Sequence, residues 1–183
     1  MSEYTIEDVT VTPAFDMELI LNISQETRMG GAVLERLAGL WERWHGSLQA
    51  RRIDTGKIQY LAVWLGPEVE EAVDKAWEES PSNAFMDNAL AQSLCMGAVH
   101  EILPQIEDAG CAPAPRPTPA LREAMASLGV PYQEGSPTLT RRFAVVTHYP
   151  FKGGCEICHL QDACPKGQGQ TGASSVELPG HER

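Results

Sequence analysis

Apolar residues recur along this chain with two different spacings, and the places where the spacing changes divide it into elements. "DVTVTPAF" (Asp8 to Phe15) alternates apolar and polar positions, which predicts a short strand or extended arm before Pro13. "DMELILNIS" predicts a short helix from Asp16, with that carboxylate as its cap. From Gln25 to Gln49 the apolar positions Val33, Leu34, Leu37, Leu40, Trp41 and Trp44 fall three and four apart, the spacing of one helix face. "RRIDTG" then reads as a turn, and "KIQYLAVWLG" (Lys57 to Gly66) as a buried strand ended by Gly-Pro.

Pro67 suits the first position of a helix, and Glu68, Glu70 and Glu71 suit its positive end, so a helix is expected to about Glu79. "SPSNAFMDNALAQSLCMGAVHEILPQIEDAG" is apolar nearly all round: Phe85, Ala89, Gln92, Met96, Val99 and Leu103 share one side, and Met86, Leu90 and Leu94 lie on the other. Such a helix belongs in the interior, with Pro104 as a kink or end and Gly110 as a stop. Four prolines make "CAPAPRPTP" (Cys111 to Pro119) an extended linker, and "ALREAMASLG" a short helix ended by Gly129. "TLTRRFAVVTHYP" reads as a second strand centred on Phe143 to Val146, which delivers the chain to a cysteine-rich segment. The expected fold is therefore α+β and helix-dominated, with a small mixed β-sheet holding residues 57–65 and 139–147. Its organisation is a core over residues 1–147, a cysteine loop over 148–165 and a disordered tail over 166–183.

Charge and composition narrow the function. At 183 residues the chain can bury one sizeable core. A net charge of −11 opposes broad contact with a phosphate backbone, so nucleic acid is not an expected partner. The start "MSEYTIEDVT" lacks a basic region followed by an apolar one, and no apolar run is long enough to span a membrane, so a cytoplasmic protein is expected. In that compartment five cysteines are kept reduced, which favours metal, cluster or buried thiols over disulfides.

The chemistry concentrates in "HYPFKGGCEICHLQDACPKG" (His148 to Gly167). Cys155-Glu156-Ile157-Cys158-His159 has the pattern of covalent haem attachment, but that attachment occurs outside the cytoplasm, and a third cysteine follows at Cys164. Two thiolates separated by two residues can chelate one metal or one cluster edge, and Gly153 and Gly154 let backbone amides approach the sulfurs. A [4Fe–4S] cluster or a tetrahedral zinc takes four ligands; here His148, His159 and Cys111 are candidates for the fourth beside Cys155, Cys158 and Cys164. The C-x2-C-x5-C spacing resembles the end of the iron–sulfur loop in the endonuclease III family of DNA glycosylases, where a further cysteine occupies the place held here by His148. That resemblance covers about seventeen residues and implies a cluster, not DNA repair.

Residues 30–110 carry a second resemblance. "LAVWLGPEVEEAV" (Leu61 to Val73) and the small-residue helix "MDNALAQSLCMGAVHEIL" are similar to the activation-domain-like family of vitamin B12-dependent methionine synthase. The resemblance implies a role beside cobalamin chemistry, with a corrinoid protein or methyltransferase as partner and S-adenosylmethionine as a cofactor. The family's adenosylmethionine contact is an Arg-x-x-Pro-Gly-Tyr segment; "APRPTPAL" retains Arg116 and Pro119 and lacks Gly-Tyr. Together these features imply an accessory protein of corrinoid-dependent methyl transfer that carries an iron–sulfur cluster for electron transfer or reactivation. The alternative is an acidic interaction protein with a structural zinc site. Whether the chain is an enzyme stays open.

Other conspicuous residues have ordinary expectations. Cys95, inside the apolar helix, should pack as a small hydrophobe. His100 should cap its helix or lie at the surface, and His45 should be exposed. Arg141 and Arg142 read as a solvated strand end, with an anion site as the sharper option. No phosphate loop, nucleophile elbow or Ser/His/Asp order is present.

Overall fold

A computed structural model describes residues 4–164. The chain forms an α+β fold dominated by helices, with one four-stranded sheet. The elements are β1 (Thr5–Asp8), α1 (Met17–Ser24), α2 (Gly31–Trp44), β2 (Gln49–Asp54), β3 (Gln59–Trp64), α3 (Pro67–Glu79), α4 (Pro81–Ile102), α5 (Gln105–Ala109), α6 (Pro119–Ser127) and β4 (Ala144–Tyr149). Strand order is β1-β2-β3-β4 and every pairing is antiparallel, in place of the mixed sheet expected from sequence. Residues 166–183, read above as a tail, lie outside the described residues. Among the described residues no helix is long and apolar enough to cross a membrane.

The largest departure from expectation is β2. The helix predicted to Gln49 ends at Trp44, a 3-10 turn over His45–Ser47 follows, and the stretch read as a turn is mostly strand. Two adjacent arginines obscured it. Their charges are met from β1, where Arg51 lies opposite Asp8 and Arg52 opposite Glu7 in register, each forming an ion pair. The reversal falls later, where Asp54 Oδ1 accepts from Gly56 N–H at 2.7 Å and Gly56 takes a positive φ of 78°.

β3 has the composition of a central strand and occupies that place. Tyr60, Leu61, Ala62, Val63 and Trp64 are all buried, because both faces of the sheet are covered. Leu61, Val63 and Leu65 pack with Ile20, Leu37, Leu90, Leu94, Val99, Ile106 and Phe143 from the helices and from the entry to β4. On the other face Tyr60, Ala62, Trp64 and Val146 meet Leu121, Ala124 and Met125 of α6. α4 is buried on most of its circumference, as its composition requires, though Phe85 in its first turns stands exposed. Asp87 of α4 is buried against Arg36 of α2; burial raises its carboxyl pKa and the guanidinium offsets part of that.

One polar contact fixes the junction of strands and helices. Glu70, in the first turn of α3, accepts from Arg141 Nε and from the backbone N–H of Arg142, both at 2.9 Å. Arg141 also donates to the carbonyl of Leu65 at 2.7 Å, while Arg142 pairs with Asp74. Arg141 is thus a largely buried clamp and not a solvated strand end, and Glu70 does more than meet the helix dipole. Glu70→Ala leaves the Arg141 guanidinium unpaired and should lower unfolding free energy by about 2–3 kcal/mol, read from urea melts.

Candidate metal centre

The cysteine loop is built on the end of β4, with its first candidate ligand still in the sheet. β4 runs to Tyr149, so His148 lies opposite Tyr60 of β3, their rings 5.6 Å apart. Its Nδ1 is buried and has no hydrogen-bond partner among the described residues. Burial, and secondarily the Lys152 ammonium, push this imidazole below its ordinary pKa.

Beyond β4 the chain makes two successive 3-10 turns, Cys155–Ile157 and Gln161–Ala163. Cys155 opens the first and Cys158 closes it, with Cys158 N–H donating to Cys155 O at 3.0 Å. Cys164 closes the second by donating to Gln161 O at 3.3 Å. All three thiols are half-buried. The entry to the first turn requires glycine: Gly154 has φ 118°, and the Glu156 carboxylate folds back into the space that a Cβ at Gly154 would occupy.

The loop is held by the proline-rich linker, which is extended as expected and packs beside β4. Pro113 and Pro115 are buried, and Thr147 Oγ1 donates to Pro113 O at 2.9 Å. Ala114 then contacts two consecutive loop residues. Its N–H donates to Cys158 Sγ at 3.4 Å, and its carbonyl accepts from the backbone N–H of His159 at 3.0 Å. The same carbonyl lies 3.0 Å from His159 Nδ1, and since a carbonyl can only accept, that nitrogen carries the proton.

A cavity of about 440 Å³ opens between the sheet, the linker and the loop, lined among others by Tyr60, Arg116, Thr118, His148, Cys158 and His159. The structure thus brings Arg116 and both candidate histidines to one space with one of the three loop cysteines. Cys155 and Cys164 lie on the same loop outside that lining, and Cys111 stands exposed at the start of the linker. Among the described residues no three Cys, His, Asp or Glu side chains form a ready-made ligand set for an ion. The donor types nevertheless suit a soft metal or a cluster: partly exposed thiols, one already receiving a peptide N–H. Ligation by all three cysteines requires the two turns to close towards one another.

The remaining candidates fall where packing puts them. Cys95 is buried in α4, its thiol 3.6 Å from the Phe143 carbonyl and pushed up to about 12 by burial. His45 is exposed, stacked on Trp41 and bonded to its carbonyl. His100, in the last turn of α4, is partly exposed. Tyr60, Thr118 and Ala114 were not apparent in the sequence. The alternation of β3 held the signal for Tyr60, which faces away from Leu61; Ala114 contributes only backbone and carried none. No family model, curated protein or solved structure matches the chain.

Thiol chemistry should separate these cysteines. In metal-free native protein treated with iodoacetamide near about pH 8, Cys155, Cys158 and Cys164 should be alkylated while Cys95 stays protonated and unmodified until urea unfolds the core. Peptide mass mapping reads the result.

Proposed function

We propose that this chain is an accessory protein of corrinoid-dependent methyl transfer, holding an iron–sulfur cluster on Cys155, Cys158 and Cys164 and serving in electron transfer or reactivation. The observation that carries the cluster reading is the Ala114 N–H directed at Cys158 Sγ, on a loop whose three thiols sit at the ends of consecutive 3-10 turns. A peptide N–H on sulfur stabilises thiolate charge and is a usual means of tuning a metal-bound cysteine. When bound, such a cluster supplies one-electron redox chemistry.

The position of the loop suits that task. Glu156, Leu160, Gln161 and Asp162 are exposed, so the thiols lie close beneath a surface that a partner can approach. The corrinoid partner rests on the resemblance across residues 30–110, a stretch that forms the α2-β2-β3-α3-α4-α5 body against which the linker and β4 pack. Arg116, the residue that resemblance marks for adenosylmethionine, lines the same cavity as Cys158.

Purification without oxygen, followed by iron, acid-labile sulfide and zinc analysis and visible absorption, tests the reading. Iron and sulfide with a coloured spectrum are expected, and the colour should bleach on reduction. Stoichiometric zinc without iron would select the structural-zinc interaction protein instead. A colourless, metal-free and fully folded sample would overturn both.

A further inference from the structure

Cys155 and Cys158 share one 3-10 turn, and the dimensions of that turn suit a bond between their sulfurs. Cys158 N–H donates to Cys155 O at 3.0 Å, so the two residues stand one full turn apart. A 3-10 turn takes three residues at a rise of about 2.0 Å each, which sets their Cα atoms about 6 Å apart with the side chains eclipsed. A disulfide usually spans Cα atoms about 5.5–6 Å apart. Its Cβ atoms must come closer than eclipsed side chains stand, and the pair Gly153-Gly154 ahead of Cys155 leaves the backbone free to tighten by that amount.

The other three cysteines are placed elsewhere. Cys95 is sealed in the helical core against the Phe143 carbonyl, Cys111 stands exposed at the start of the linker, and Cys164 closes the separate turn that begins at Gln161. A bond between sulfurs needs two partners, where an ion needs three or four donors around one point. The first turn of the loop supplies those two by itself.

The two thiols differ in setting, and the difference assigns their order of reaction. Cys158 lines the cavity of about 440 Å³ and its Sγ accepts from Ala114 N–H at 3.4 Å, whereas Cys155 lies outside that lining. The thiolate is the attacking species, and a peptide N–H on sulfur stabilises its charge. The cavity gives a small molecule a way to Cys158. His159 keeps the donating peptide in place, since its Nδ1–H and backbone N–H both go to Ala114 O.

We propose that Cys155 and Cys158 form an exchange-active dithiol whose substrate is a low-molecular-weight disulfide, with Cys158 as the attacking thiolate and Cys155 as the resolving one. Cys158 Sγ attacks one sulfur of the small disulfide, forms a mixed disulfide and expels the other half as a thiolate. Cys155 Sγ then attacks Cys158 Sγ, closes the Cys155–Cys158 bond and expels the second half. The dithiol is oxidised by two electrons, the small disulfide is reduced to two thiols, and the protons lost by the cysteines end on those products. This chemistry belongs to the metal-free chain and goes beyond the cluster proposal, because a bound cluster would occupy the same sulfurs.

The test uses the full chain, stripped with a chelator and reduced without oxygen, desalted and mixed with glutathione disulfide. Samples quenched with N-ethylmaleimide are read by intact mass and peptide mapping in wild-type, Cys155→Ser, Cys158→Ser and Cys164→Ser forms. Iron counted before stripping reports on the cluster proposal separately, and circular dichroism checks each fold. Wild type and Cys164→Ser should both lose two hydrogens and yield a peptide linked from Cys155 to Cys158. Cys155→Ser should stop with glutathione held on Cys158.

In Cys158→Ser, Cys155 should capture glutathione about threefold more slowly than Cys158 does in Cys155→Ser. One hydrogen bond to a charged sulfur is worth about tenfold in thiolate, of which about threefold is returned as weaker nucleophilicity. Adding Ala114→Pro to Cys155→Ser removes the N–H, keeps the carbonyl that His159 uses, and should slow capture by the same factor. A bond to Cys164, or glutathione on all three loop cysteines with no internal bond, would overturn the dithiol. Equal capture by Cys155 and Cys158 would overturn the order of attack, and the two serine variants decide that even where Ala114→Pro fails to fold.

Discussion

The fold depends on β3 being buried on both faces. Tyr60 through Trp64 present large side chains alternately to either side, and neither set can be left against water. One face is met by the helices α1 to α5, which the chain builds before and immediately after β3. The other needs α6, and to place it the chain must leave the helical side, pass the sheet and return as β4. The proline-rich linker is the segment that makes this passage. The cavity and the anchoring of the cysteine loop both follow from where the linker has to run.

Much of the fold was legible because the relevant signals were local. Asp16 caps α1 through Leu19 N–H, Pro67 opens α3, and Gly110 and Gly129 adopt positive φ where helices stop. β2 was hidden because its residues make sense only across the sheet. "QARRID" has no apolar alternation strong enough to announce a strand, and its arginines are accommodated by acids more than forty residues earlier. The same cause explains Glu70. Its place near a helix start has a sufficient local explanation, which concealed the long-range one through Arg141.

The candidate site divides along the same line. Cys155, Cys158, Cys164 and His148 stood out by spacing, since chelation by a short loop is a local property. Their support was not visible. The cavity joins residues of β3, the linker, β4 and the loop, and no window of sequence contains all of them. The separation between what can bind and what holds it in position is sharpest at the two histidines, both candidates by their spacing from the cysteines and different in structure. His159 is occupied by Ala114; the His148 ring has a nitrogen left over.

Ala114 takes part through its peptide group alone, donating to one loop residue and accepting from the next. A contact made that way does not depend on the side chain at position 114, so selection has nothing there to preserve except the extended path of the chain. The neighbouring prolines, Pro113 and Pro115, maintain that path by fixing their own backbone angles and restricting those of the residues before them. Related chains could therefore differ at position 114 and still hold their cysteine loops in the same way, and what they should share is the rhythm of prolines and not the alanine.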